Sequence, residues 1–244
     1  MAAPSDPSTL YPDIATAGSL AAALQAVATR DGLGVSFSAS ESDPLRDASV
    51  TSTVPHRTVL SISAWAVERR WSIRGSEPSQ GMTLVDGDTD DLAQVARAAQ
   101  AWHDGAELAA LHRAAPFVHL TGRFEVADHD PVQLTESEWQ HLRTEAGEVD
   151  WPEYRALIEA AYAEPALRGL YPFTSHWTLR FSTSTRPRLS VVPLCVNAYR
   201  QKPYTVSAQL MGEALAEAPT AEEAVSAAVR RLPSGLGPVT HGAG

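Results

Sequence analysis

The stretch Tyr171-Pro-Phe-Thr-Ser-His-Trp-Thr-Leu-Arg-Phe181 joins a helix pattern to a strand pattern. Upstream of it, Tyr154, Leu157, Ile158, Ala161 and Tyr162 recur at i, i+3, i+4, i+7 and i+8, the apolar stripe of one helix. Downstream, Trp177, Leu179 and Phe181 alternate with Thr178, Arg180 and Ser182, the period of a half-buried strand. That alternation predicts Trp177, Leu179 and Phe181 in a core, with His176 and Arg180 on the opposite face. Helical and extended periods following each other in this way predict an α+β fold.

Further downstream, residues 189–197 carry no charge and read as a central strand, with a bulge or unpaired edge at Pro193. Residues 204–208 and 213–216 are further strands. Thr220 is the N-cap of a last helix that has Glu222 and Glu223 in its first turn and Arg230 and Arg231 in its last. Pro233 and the glycines beyond stop it.

Upstream, Asp150 with Glu153 and Thr135 with Glu138 have capping-box spacing. Pro152 suits a first helical turn. Residues 106–115 read as a short helix, and 117–126 as mixed strand and loop. Nearer the N-terminus, Ser19 caps a helix buried through Leu20, Ala23, Leu24 and Val27 and ended near Gly32. Strands are expected at Val35 to Phe37, at 59–65, at 70–74 and at 82–85, with 39–57 a loop. Asp86-Gly-Asp-Thr-Asp-Asp91 lacks the terminal Glu of a calcium loop. It reads as a turn, with Thr89 capping a helix that buries Leu92, Val95, Ala96, Ala99 and Trp102.

The order helix, about four strands, helix therefore occurs twice, from Leu20 to Trp102 and from Tyr154 to Leu232. Leu60-Ser-Ile-Ser63 answers Leu189-Ser-Val-Val192, and Trp71-Ser-Ile73 answers Tyr204-Thr-Val206. The expected organisation is a flexible start over 1–12, a first half over 13–105 and a helical connector over 106–150. A second half over 151–235 and a flexible tail over 236–244 complete it. The two related halves would pack about a pseudo-twofold axis, with a pocket in the cleft between them.

Bulk properties narrow the function. The 244 residues can bury a sizeable core. A formal charge of −10 argues against a phosphate-binding surface, and so against a nucleic-acid partner. It favours a neutral or cationic partner for this acidic protein. Lys202 is the one lysine among 19 basic residues, as in a GC-rich coding bias. Cys195 is the single cysteine, so neither an internal disulfide nor a thiolate-rich metal site can form, and a cytoplasmic location is expected. No basic residue precedes the uncharged segment 14–29, so it reads as a helix of the fold rather than a signal peptide. No run reaches the length of a membrane span.

The opening stretch, Asp86-Gly-Asp-Thr-Asp-Asp-Leu-Ala-Gln-Val-Ala96, Pro116-Phe-Val-His119 and Thr220-Ala-Glu-Glu-Ala-Val225 together resemble an actinobacterial family of unknown function. That family is labelled as natural-product biosynthesis proteins. The resemblance spans about residues 10–235 and implies a biosynthetic setting without implying a reaction.

Candidate site residues follow from chemistry. His176 could serve as an acid or base near neutral pH, with Ser175 beside it and His119 after a second Pro-Phe pair. Ser175 and His176 would face opposite ways on a strand, so they need a turn to act together. Against these roles stands the plainer reading of His176 as a satisfied polar residue near a strand start. Arg123, Arg180 and Arg188 could hold a carboxylate or phosphate by a bidentate fork, with Tyr171 nearby. His103, His112 and His141 lack the i, i+4 partner of a zinc pair, so no metal site and no cofactor are expected. Cys195 lies between Leu194 and Val196 and reads as inert core. The leading expectation is an accessory or binding protein of a secondary-metabolite or modified-peptide pathway, taking a small molecule or modified peptide. The alternatives are a cofactor-independent cyclase or lyase using His176, and a protein-interaction module such as an immunity protein or chaperone.

Overall fold

The computed structural model describes residues 7–78 and 80–242. They build an α+β protein of helices and mostly antiparallel sheets, divided into two compact units, Met1–Thr121 and Gly122–Gly244.

The first unit runs α1 (Pro7–Leu10), α2 (Pro12–Ala17), α3 (Leu20–Arg30), β1 (Ser38–Ala39), β2 (Asp47–Val50), β3 (Leu60–Ala64), β4 (Trp71–Ser76), β5 (Thr83–Thr89), α4 (Leu92–His103), α5 (Leu108–Ala114) and β6 (His119–Leu120). Its sheet is an antiparallel meander in chain order from β1 to β6. Leu60, Ile62 and Ala64 on β3 are buried, as are Trp71 and Ile73 on β4, while Ser61, Ser63, Ser72 and Arg74 alternate with them. One face therefore takes the helices and the other stays polar. On the covered face, Leu20 and Leu24 of α3 join Val95, Ala99 and Trp102 of α4 in one cluster with Ile62 and Ile73. Each such large apolar side chain contributes roughly 1.5–3 kcal/mol by leaving water. Gly75 lets the Trp102 indole lie on β4, since a Cβ there would come within 2.5 Å of the ring.

Several local expectations change in this unit. Residues 7–12 are ordered into α1 and the start of α2 around Tyr11 rather than loose, because buried Tyr11 donates its hydroxyl to the carbonyls of Trp65, Glu68 or Arg70, 2.9 to 3.0 Å away. Residues 1–6 of that expectation lie outside the described residues. No strand forms at Val35: its N–H goes to the Gln100 side chain and its carbonyl to Gln25. The supposed loop over 39–57 contains β2, whose Ala48 and Val50 are buried. The acidic run is not a turn, for β5 continues through Asp86 and Asp88. The cap of α4 is Asp91, which accepts from the Ala93 N–H.

The second unit runs α6 (Pro131–Glu148), α7 (Pro152–Ala163), α8 (Pro165–Arg168), β7 (Tyr171–Ser175), β8 (Thr178–Ser182), β9 (Ser184–Pro187), β10 (Val191–Asn197), β11 (Tyr204–Ser207), β12 (Ala214–Ala218), α9 (Ala221–Val229) and β13 (Thr240–Gly242). Its five-stranded sheet has the order β12-β11-β10-β8-β7, again an antiparallel meander. Uncharged β10 is central and its register shifts between Val191 and Cys195, around Pro193, as the proline predicts. Leu179, Phe181, Val196 and Val206 pack with Leu157, Ile158 and Ala161 of α7 and Ala224 and Ala228 of α9.

Here too the differences have identifiable causes. Asp130, not Thr135, caps α6, and Thr135 sits inside the helix donating to the Pro131 carbonyl. Trp151, not Asp150, is at the N-cap of α7, and Glu153 accepts from the Gln201 N–H. Residues 184–187 form β9, which pairs in parallel with β13, so the segment up to Gly242 is held in a two-stranded sheet. Residues 243–244 of the expected tail lie outside the described residues. The expected connector over 106–150 is divided between the units, with α5 and β6 in the first and α6 in the second. Among the described residues no helix is long and apolar enough to cross a membrane.

Candidate functional site

Ser175 pairs with Thr178, so His176 and Trp177 are the two central residues of a tight hairpin turn. Their φ values are 52° and 64°, the left-handed region that side chains other than Asn, Asp or Gly rarely adopt. This corrects the strand reading: Trp177 leaves the core alternation and is 42% exposed, while Leu179 and Phe181 are buried as expected. The turn also brings Ser175 Oγ within 3.3 Å of His176 Nδ1, which a strand would forbid. No carboxylate among the described residues orients His176. Trp177 instead meets Tyr154 edge-on at 5.3 Å and Trp151 at a tilt at 5.8 Å, and the Arg200 guanidinium lies over the Trp151 ring at 5.5 Å.

His119 belongs to the first unit and lies on β6 opposite Asp86 of β5. Its Nδ1 is 3.0 Å from Asp86 Oδ1, with both side chains about two-fifths exposed. The same polar face carries Arg74 opposite Asp86, Ser61 opposite Arg74, and Ser49 opposite Ser61.

The other anticipated residues have different surroundings. Arg123 forms a bidentate pair with Glu138, at 2.7 and 3.0 Å, and both side chains are less than a tenth exposed. Tyr171 is fully buried, and burial together with the nearby Glu138 charge pushes its hydroxyl well above the ordinary tyrosine range. Arg180 lies over the Phe173 ring at 5.1 Å, opposite Cys195. Burial raises the Cys195 thiol although Arg180 acts the other way. Arg188 is exposed. Among the described residues no group of three His, Cys, Asp or Glu side chains could hold a metal ion.

A groove of about 450 Å3 opens in the second unit. Val132, Pro165, Pro238 and Val239 give it apolar walls, and Glu136 of α6 and Arg168 of α8 give it a polar side. Glu136 Oε1 accepts from the Tyr162 hydroxyl at 2.6 Å and the Gln140 amide at 2.7 Å. Its Oε2 accepts from Arg168 at 3.0 and 3.3 Å. Burial acts to raise the Glu136 pKa, but these hydrogen bonds together outweigh it and hold the carboxyl below its ordinary value. Arg143 and Arg168 each approach the Tyr162 ring at 4.4 Å, which fixes the phenol between two cations.

A family of unknown function, DUF6193, matches residues 133–243. The match falls wholly in the second unit and includes the groove from Thr135 to Val239, a shorter span than the resemblance over 10–235 implies. No curated protein and no solved structure matches the chain.

Sequence reasoning did not find Glu136, Tyr162 and Arg168, because they come from three helices and meet only on folding. A local signal existed in Glu136 and Gln140, which stand one helical turn apart. It also passed over Arg74 and Asp86, although strand alternation already put Arg74 opposite Trp71 and Ile73.

Proposed function

We propose that this protein binds a small molecule of a biosynthetic pathway, and that the groove of the second unit receives it. The observation that supports this is the pairing of apolar walls with one fixed polar side. Val132, Pro165, Pro238 and Val239 would exclude water from a mainly apolar ligand. Arg168 is half exposed while already anchored to Glu136, so its guanidinium is held in place for a carbonyl or carboxylate of that ligand. The biosynthetic setting is supported by the resemblance of the sequence alone.

The test is native mass spectrometry of the protein after incubation with a metabolite extract of its host. A retained small molecule is expected, and Val132→Asp should abolish retention with melting unchanged, since Val132 is exposed. Deleting the gene should cause an intermediate related to that molecule to accumulate. Equal retention by the variant would place the ligand elsewhere, and no retention by the native protein would refute the reading.

A cofactor-independent acid/base enzyme is the second reading, and one observation moves its centre from His176 to His119. A carboxylate, Asp86, orients His119, whereas His176 meets only the Ser175 hydroxyl among the described residues.

We also infer that the two units descend from one duplicated segment. Both units run helix, antiparallel meander, helix. Ile62 pairs with Ile73 as Val196 pairs with Val206. Thr89 opposite Trp71 precedes the Asp91 cap by two positions, and Ala218 opposite Tyr204 precedes the Thr220 cap by two. Superposition of the two units in an experimental structure would test it, and unmatched strand directions would refute it.

A further inference from the structure

The open face of the first sheet carries an unneutralised guanidinium. Cross-strand partners of opposite charge ordinarily pair, and Arg74 lies directly opposite Asp86. Asp86 is instead held by His119 at 3.0 Å. Arg74 is exposed and makes no hydrogen bond or ion pair with any described residue. Beside it the face dips, because Ser61, Ser63 and Ser72 are short. They line, with Arg74, a hollow of about 380 Å3. The hydroxyls of Ser61 and Ser72 flank Arg74 on the neighbouring strand and on its own strand.

The charges around this hollow select the ligand. The Ser72 hydroxyl donates to the Ser63 carbonyl at 3.4 Å, so the Arg74 guanidinium with the Ser61 hydroxyl beside it suits one anionic oxygen pair, such as a carboxylate. Asp88 opposite Ser72 and Asp47 opposite Ser63 stand at the two ends of the neighbouring row on the same face. They repel a dianion such as phosphate and attract a cation. Asp88 is exposed and, like Arg74, has no partner among the described residues. Diagonal neighbours across adjacent strands stand roughly 7–8 Å apart, a span that a carboxylate and a nearby ammonium can bridge.

We propose that this hollow binds a small zwitterion of the α-amino-acid type, its carboxylate on Arg74 and its ammonium on Asp88. The site is separate from the groove of the second unit and does not depend on it.

The full chain is titrated by calorimetry with each free L-amino acid. For any that binds, the N-acetyl acid and the amino-acid amide are titrated next. Free amino acids are expected to bind, with each blocked form at least about tenfold weaker, the effect of removing one charged hydrogen bond. Arg74→Gln and Asp88→Asn should each weaken binding by a similar factor while leaving the melting temperature unchanged, because both side chains are exposed and unpaired among the described residues. Val132→Asp should have no effect. The proposal is overturned if no free amino acid binds at millimolar concentration, if the blocked forms bind equally well, or if binding survives both substitutions.

Discussion

Arg123 and Glu138 are the most committed charges in the second unit. Taking either from water is costly, and their two hydrogen bonds offset that cost only while both remain. Arg123→Ala should lower stability by about 3–5 kcal/mol, because Glu138 is left buried and without its guanidinium. Replacing both residues by apolar ones of similar volume should recover most of the loss. Denaturant melts of the single and double variants decide this, and a double variant as unstable as the single one would refute it. Glu136 makes a pH-dependent contribution of known sign. Its folded-state pKa is depressed, so its stabilisation is present above the unfolded value of 4.5 and fades as pH falls through the folded value. Glu136→Gln should therefore melt below the native protein at neutral pH, and the gap should narrow below pH 4.5. A gap that stays constant with pH would mean that the carboxylate charge contributes nothing. Neither role was legible residue by residue. Arg123 reads as a free fork and Glu138 as a capping partner until folding brings them together.

Among the elements, the hairpin of β7 and β8 holds two side chains where glycine or asparagine would be expected. Left-handed backbone costs an L-residue roughly 1–2 kcal/mol, and asparagine tolerates it better than histidine. His176→Asn should accordingly raise stability by up to about 1 kcal/mol, since the hydrogen bond it removes, between the imidazole and Ser175, is exposed to solvent. A lowered melting temperature would show that the imidazole supports the turn. The helices and central strands of this unit were legible because their periods are set by burial. The turn was not, since His-Trp carries none of the Asn-Gly chemistry that marks such turns. Capping was legible where one residue suffices: Ser19 and Thr220 accept from the backbone N–H groups of Ala22 and Glu223. It failed at Thr135 and Asp150, where a proline-led start upstream or a tertiary interaction took over.

At the scale of the whole molecule, each unit has a core of its own, one around Trp71 and Trp102 and one around Trp139 and Phe181. About 120 residues can bury enough apolar surface to fold alone. Residues 1–121 and 122–244, produced separately, should each melt cooperatively with a native near-ultraviolet signal, and a molten 122–244 piece would refute this. Sequence alone determined the α+β class, the central place of β10 and the break in its register around Pro193. Each of these rests on a local period or on the backbone chemistry of one residue. Tertiary structure alone decided that Asp86 turns to His119 and leaves Arg74 open, and that Glu136, Tyr162 and Arg168 share one wall. Those pairings join residues that are distant along the chain, and no local pattern encodes which of several compatible partners a side chain will meet.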